Sequence, residues 1–487
     1  MRLTNVMMSN TMLGNINRNQ RRANTLLNQI ATGRLISNPS ENPLMAMRHM
    51  RFETTVNQIE QHRRNVDQAE AWVAMTEKAV AALNTVIADI EDYLVKADAA
   101  ESLSERKILA EAILSLMDEK ATILNRTFQG RHIFSGLRTD QPPFFVRDMP
   151  DMNVNNITMQ LGLPNLETTF MLDRSDHSDP ASVGGNNGPD LTPPGNLPKA
   201  IQVHRMRLPH NANQGSVRID GNNVQTIPRN SNGDIDFAMM SDDGIYHDPT
   251  TGELISLSRD NAFAFSNPNS TITVVYDQHG FSQQDLNPLV HFTGQLVAHP
   301  TISGLPLNFN MDSQDMNFEF GVHARMPINT LARNIVPATM WADIRGFATD
   351  ILNLDTSKSQ MIRDHYLDQG YSQEEANSRT QERLLKESQV IETITNNRFN
   401  NMIGRLDDHA LNISMQQTEV GVRMSRLEMI SERLEDDALI FEELGAQNIG
   451  IDVGEAIMRL TMAEVALQAS MQAGMHNIMT LNLLNFL

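Results

Sequence analysis

Apolar residues at both ends of the chain step by alternating threes and fours. Toward the C-terminus the series runs Val453, Ile457, Leu460, Leu467, Met471, Ile478 and Leu481, interrupted only by Glu464 and Gly474. At the N-terminus Leu3, Val6, Leu13, Ile16, Ala23, Leu27 and Ile30 keep the same period. Such a spacing, about 3.5 residues on average, marks helices that wind around a partner helix. The pattern predicts one helix over residues 3–33, closed by Gly33, and a terminal helix beginning after Gly450-Ile451-Asp452. Leu484, Phe486 and Leu487 keep the last residues apolar, where chain ends ordinarily turn polar and fray. Both stripes are therefore expected to find their cover in an assembly, as single helices separated from the rest by Gly and Pro breaks.

Proline divides what lies between. Eighteen of the 20 prolines fall between Pro142 and Pro337, and the other two are Pro39 and Pro43. A proline inside a helix costs about 3 kcal/mol, so the flanks are free to be helical and the middle is not. Asn42 can cap a helix whose first residue is Pro43. From there Val66, Ala69, Val73, Thr76, Val80, Leu83, Ile87, Ile90, Leu94 and Ala97 make one unbroken stripe. A turn at 102–104 precedes a further helix ending near Gly130. Short β-branched runs follow, Val217–Asn222 and Thr271–Tyr276 being the clearest, and Asp248-Pro249-Thr250-Thr251-Gly252 reads as a hairpin turn. Helix resumes from Met340 to Leu354, then comes a charged stretch of weak periodicity (356–387). A last long helix carries Val420, Met424, Leu427, Leu434, Ala438 and Phe441 and stops at Gly445, with an acidic outer face.

The fold expected is mainly α with a β-rich insertion: an elongated antiparallel helical bundle or coiled coil formed by the N- and C-terminal regions, with discontinuous domains. Residues 1–36 and 446–487 would be terminal helices, 37–141 and 338–445 a helical bundle, and 142–337 a β-rich surface insertion of one or two subdomains.

Composition narrows the function. The 487 residues are 40% hydrophobic, 20% charged and only 5% aromatic, with 30 Met, which suits helical stripes better than one large aromatic core. A net charge of −20 argues against nucleic acid or an anionic membrane as partner. Arg2, Arg18, Arg21, Arg22, Arg34, Arg48 and Arg51 oppose it locally, facing only Glu41. With no aromatics interleaved, they read as a solvated helix face. The absence of cysteine excludes disulfides, thiolate metal sites and cysteine nucleophiles. The first 20 residues lack a secretory apolar segment, and no run is long enough to span a membrane. Phosphate loops, nucleophile elbows and zinc-protease helices are missing, so no enzyme, cofactor or catalytic residue is expected. Two acidic patches, Asp173, Asp176, His177 and Asp179, and then Asp242, Asp243, His247 and Asp248, offer oxygen ligands at odd spacings that could hold a hard cation. Neither has calcium-loop spacing, and both read as solvated loops.

Arg2-Leu3-Thr4-Asn5-Val6-Met7, then Gly33-Arg34-Leu35-Ile36-Ser37-Asn38-Pro39-Ser40-Glu41-Asn42-Pro43, resemble the bacterial flagellin superfamily. Within it the likeness is to the hook-associated branch that joins hook to filament. Gly130-Arg131-His132-Ile133-Phe134-Ser135-Gly136, Thr139 and Pro142-Pro143-Phe144 are similar to that branch's helix exit, with His132 where an aromatic is more usual. Ile451–Ala456, Ala466–Ser470 and Leu483–Leu487 are similar to its closing helix. The resemblance covers roughly residues 1–145 and 400–487. It implies a structural, non-enzymatic protein of the bacterial flagellum, exported unfolded without a cleaved signal peptide and located outside the cell. It also implies packing of terminal helices in a ring or helical layer of like subunits. Expected partners are a hook-side junction protein, flagellin and a flagellar export chaperone. A filament-forming flagellin is the alternative. The packing positions it points to are Leu3, Val6, Leu13, Ile16, Leu27, Ile30, Val453, Ile457, Leu460, Leu467, Met471, Ile478 and Leu481.

Overall fold

The computed structural model describes residues 5–100, 102–173, 199–229, 233–258, 270–312, 314–321, 324–354, 359–368 and 370–484. The chain is mostly helical with a β-rich region, and it divides into two compact units. One comprises residues 1–68, 319–325 and 426–487, the other residues 69–318 and 326–425. Besides two four-residue helices, Pro288–His291 and Ala332–Ile335, the helices in order are α1 (Asn5–Thr32), α2 (Pro43–Asp98), α3 (Leu103–Leu124), α4 (Ala338–Asn353), α5 (Ser359–Asp368), α6 (Gln373–Ile449) and α7 (Val453–Leu484).

In the first unit, α1 stops because Gly33 adopts a φ of 69°, a left-handed conformation that a side chain would strain. The chain turns, and the Asn42 Oδ1 accepts from the Met45 amide at 3.2 Å, capping α2 with Pro43 in its first turn. Backbone bonds join the two interhelix turns: the Leu35 amide donates to Ile449 O (2.6 Å) and the Ile451 amide to Gly33 O (3.2 Å). The start of α2 lies on the end of α6, with the Phe52 and Phe441 rings 6.4 Å apart. Gly445, expected to end that helix, lies inside it. Its missing side chain faces Phe52 and His49, and the helix runs on to Ile449 because close packing there outweighs the ~1 kcal/mol helix penalty of glycine.

In the second unit the α2 stripe is buried as its spacing predicts. Leu83, Ile90, Leu94 and Ala97 are fully buried and Ile87 nearly so. On α6, Leu406, Ile413, Val420, Leu427 and Leu434 repeat every seventh residue and are all buried, a run that begins in one unit and ends in the other. The charged stretch of weak periodicity forms α5 and the start of α6. A capping box starts α6: Ser372 Oγ accepts from the Glu375 amide while Glu375 Oε2 accepts from the Ser372 amide. α3 begins at its cap Ser102 and ends at Leu124, six residues before the expected Gly130. The reason is a hairpin, β1 (Thr127–Phe128) and β2 (Arg131–His132), whose turn holds Gln129 and Gly130 at positive φ. Phe134 and Phe144 beyond it are fully buried. Asn125 clamps the second from both sides, accepting from its amide and donating to its carbonyl at 3.0 Å.

Besides a two-stranded sheet of Asn317–Gly321 with Ala324–Pro327, the β-rich region carries two larger sheets. Their strands are β3 (Met149–Gly162), β4 (Glu167–Asp173), β5 (Lys199–Arg207), β6 (Arg218–Ile219), β7 (Asn222–Asn223), β8 (Gln225–Thr226), β9 (Tyr246–Asp248), β10 (Glu253–Ser256), β11 (Thr271–Phe281), β12 (Thr293–Ala298) and β13 (Leu307–Phe309). One sheet has the order β4-β5-β10-β9-β8, the other β13-β12-β3-β11-β6-β7. The Asp248–Gly252 turn joins β9 to β10 as an antiparallel hairpin, as expected.

Charges hold the first sheet to the helices of its unit. Arg205, fully buried, reaches Glu167 (3.0 Å), Glu253 (2.9 Å) and Asp350 of α4 (2.8 Å). Arg207 binds Glu253 and Asp350, while Arg405 of α6 binds Asp343 at 2.6 Å. Burial raises the Glu167 carboxyl, but Arg205, Arg207 and Arg405 more than reverse this and hold it well below the usual carboxylate range. Burial acts the same way on Asp350, and Arg205, Arg207 and Arg398 likewise leave it lowered. For Glu253 burial outweighs Arg205, and its carboxyl is raised.

Lys120 of α3 is fully buried with the Met340 sulfur 3.8 Å from its Nζ, and burial lowers its pKa to about 7. Between that value and the ordinary 10.5 the unfolded chain binds the extra proton, so this residue makes the protein more stable as pH rises. Lys120→Met should therefore stabilise the second unit by roughly 2–4 kcal/mol at neutral pH, with the gain fading toward pH ~10. Thermal melts of both proteins across that range check it, and equal melting at pH 7 would contradict it.

Candidate assembly surface

The two terminal helices, expected to find the cover of their stripes in an assembly, pack on one another. They run in opposite directions: Asn19 Nδ2 donates to Ser470 Oγ at 2.8 Å, and Ala23 and Leu26 sit against Leu460 and Ala463. Each helix contributes one seam. On α1 it is Met12, Ile16, Asn19, Ala23, Leu26 and Ile30; on α7 it is Ala456, Leu460, Ala463, Leu467, Ser470 and Gly474. All twelve are buried or half-buried. Both series step four-three-four-three-four, a complete heptad register. At Gly474 an added methyl group would meet the end of the Met12 side chain, which would have to move aside.

The thirteen expected packing positions divide accordingly. Ile16, Ile30, Leu460 and Leu467 lie in the seam and are half-buried. Leu13, Leu27, Val453, Ile457 and Met471 are exposed, from 44% for Met471 to 55% for Leu13. Val6, Ile478 and Leu481 fall on the helices, with their side chains outside the described residues, as is Leu3 altogether. Sequence reasoning missed Ala456, Ala463, Ser470 and Gly474 because it followed large apolar residues. The signal was present in the unbroken seven-residue repeat of small ones. On α7 the exposed apolar set also includes Met458, Met462, Val465 and Met475. These residues extend the apolar surface of α7 beyond the one edge that α1 covers, with the exposed Glu455, Arg459 and Glu464 between them.

The candidate metal groups gain no support. Asp176, His177 and Asp179 lie outside the described residues. Asp242 and Asp243 are exposed, and Asp248 binds Arg229 at 2.6 Å and the Thr250 amide at 2.9 Å. His247 is buried and its pKa lowered to about 4 by that burial. Among the described residues no three His, Asp or Glu side chains are grouped to hold a metal, and no helix is long and apolar enough to cross a membrane.

Residues 3–139, from α1 through the hairpin after α3, match the N-terminal helical region of bacterial flagellins, so this stretch of the chain is flagellin-like. More particularly, it is similar to flagellar hook-associated protein 3 of Salmonella typhimurium, with 27% identity over 146 residues, 30% of this chain and 46% of that protein. It is also similar to the Escherichia coli protein of the same name, 29% identical over 118 residues, 24% of this chain and 37% of that one. The matched stretches thus span less than half the length of either relative. Among solved structures, a flagellar hook-associated protein from Vibrio parahaemolyticus aligns over 84% of this chain and all of its own (TM-score 0.37, 9% identity). The flagellar junction protein FlgL from Legionella pneumophila aligns over 84% of this chain and all of its own (TM-score 0.32, 10% identity). Likenesses that distant carry no argument.

Proposed function

We propose that this protein is a structural subunit of the bacterial flagellum, placed in the layer that joins hook to filament. The single observation that carries the reading is α7: Val453, Ile457, Met458, Met462, Val465 and Met471 stay exposed outside the one seam that α1 covers. In the proposed assembly the α1–α7 pairs of neighbouring subunits cover the remaining faces as an inner wall of antiparallel coiled-coil character. The subunit's neighbours would be further copies of itself, a hook-side junction protein and flagellin, with an export chaperone holding the amphipathic end before secretion. This reading needs no catalytic residue or cofactor.

Ile457→Asp combined with Met471→Asp tests it. Both side chains are about half exposed in the chain, and exposed substitutions usually change stability by no more than about 0.5 kcal/mol. Monomer melting should hold, while cells lose filaments because each subunit carries two unpaired charges into a helix seam. Secretion of the variant, measured alongside, separates failed assembly from failed export. Normal filaments on secreting cells would end the proposal. Deleting the gene should leave bare hooks with flagellin shed into the medium.

A further inference from the structure

The six-stranded sheet carries a polar groove along β3, β12 and β13, wholly within the second unit. Its volume is about 470 Å³, within the roughly 300–1,000 Å³ usual for small-molecule sites. Asn156 and Thr158 of β3, Thr293 and Gln295 of β12, Asn308 of β13 and Asn310 beyond it supply the neutral polar lining.

A bulge in an interior strand shapes the groove. Between Val154 and Ile157, β3 holds two residues where β11 holds only Asp277. Between Asn155 and Thr158 it again holds two, where β12 holds only Gly294. The bulge sets Asn156 at a φ of 54°, a left-handed conformation that asparagine tolerates better than most residues. The Asp277 carboxylate fixes that backbone, accepting from the Asn156 amide at 2.7 Å. Arg218 holds the side chain, donating to its Oδ1 at 2.6 Å. Bulges interrupt the ladder and gather beside functional sites, where they re-aim a side chain. Here the re-aimed side chain lines the groove.

Donors and acceptors alternate around it. Gln295 Nε2 donates to Asn308 Oδ1 and Asn310 Nδ2 to Asp312 Oδ2, both at 2.9 Å. Among the described residues this leaves Gln295 Oε1 and Asn310 Oδ1 as open acceptors, and the Asn156 and Asn308 Nδ2 atoms as open donors. The Thr293 hydroxyl, which can do both, is open as well. Neighbouring hydroxyls of a sugar, each a donor and an acceptor at once, match such a set. No carboxylate or lysine lines the groove among the described residues. Its one cation is engaged: the Arg138 guanidinium lies over the Phe309 ring, 5.5 Å from the centroid, and donates to Leu289 O. Phe309 is itself buried, so a peptide would find no apolar anchor.

We propose that this groove binds a neutral oligosaccharide, whose hydroxyl groups bond the amides of Asn156, Gln295 and Asn308 and the Thr293 hydroxyl. The site is independent of the subunit role proposed above and stands or falls without it.

Full-length protein titrated with cellotriose, maltotriose, mannotriose and chitotriose, followed by calorimetry and saturation-transfer NMR, tests the site. At least one sugar should bind with a millimolar or lower Kd, and inorganic phosphate, the anionic control, should bind more weakly. Thr293→Val and Asn156→Gly each remove polar atoms at an exposed position, and glycine keeps the φ of the bulge. Each should weaken that binding at least about fivefold, the worth of one hydrogen bond, with the melting temperature unchanged. Gln160→Ala, exposed on the same strand but outside the groove, should leave the affinity as it is. Binding of none of the four sugars at millimolar concentration would overturn the proposal. So would sugar binding that both variants leave intact, or phosphate binding tighter than any sugar.

Discussion

Aspartate in place of Leu83 is expected to unfold the second unit or leave it close to unfolding. Leu83 is fully buried in the middle of the α2 stripe, with Val80 and Ile87 one turn to either side. A carboxylate there would be desolvated with no partner, or would take up a proton and still leave polar oxygens unsatisfied. The loss should reach at least about 4 kcal/mol, against the total of roughly 5–15 kcal/mol usual for a folded domain. Ile87→Asp should behave alike. Val95→Asp is the control: it lies on the same helix but is 52% exposed, so its effect should stay within about 0.5 kcal/mol. Denaturant unfolding followed by circular dichroism measures all three. Leu83→Asp within about 1 kcal/mol of the parent would mean that the helix is turned differently from the arrangement described above.

Arg205→Met should be nearly as damaging at neutral pH, and its deficit should shrink in acid. Arg205 contacts Glu167, Glu253 and Asp350, all withdrawn from solvent. Removing it leaves carboxylates underpaired in a buried site, a change that typically costs about 3–5 kcal/mol. In the parent protein, Glu167 and Asp350 titrate below their ordinary values. Their contribution is present above the ordinary carboxylate pKa and is lost as pH falls through the lowered one. Glu253 is raised and acts in the opposite sense, its contribution present below its unfolded pKa and lost as pH rises through the folded value. Two lowered groups against one raised should make the parent lose stability below about pH 4. In the variant the same carboxyls accept protons more readily, so its melting temperature should approach the parent's as the solution is acidified. Thermal melts from pH 7 down to the acid limit check this, and a constant gap would show that the cluster stabilises through packing alone.

Local spacing made the helices legible. The stripe from Val66 to Ala97 is buried at every position named from its spacing, because a long apolar period permits one face and no other. Capping chemistry located Gly33 and Asn42 for the same reason: each acts within a turn of its own position. Gly445 and the end of α3 were misplaced because neither is decided locally. Phe52 and His49 of α2 set what glycine does at 445, and the hairpin after Leu124 depends on two residues at positive φ. The buried arginine–carboxylate cluster was invisible, since its members lie between Glu167 and Arg405 and nothing in their spacing brings them together.

The terminal helices show the division best. The amino-acid sequence by itself determined that α1 and α7 are helices, that they are amphipathic with a heptad period, and that their outer residues remain apolar. Each of these follows from the order of side chains along one helix. Which edge of each helix meets the other was decided only in three dimensions. The small residues Ala456, Ala463 and Gly474 let the backbones approach, so they form the seam, while the larger Val453, Ile457 and Met471 are left outside. Close packing rewards the shorter interhelix distance as much as the greater hydrophobicity, and that choice depends on the partner's surface, which no single helix encodes.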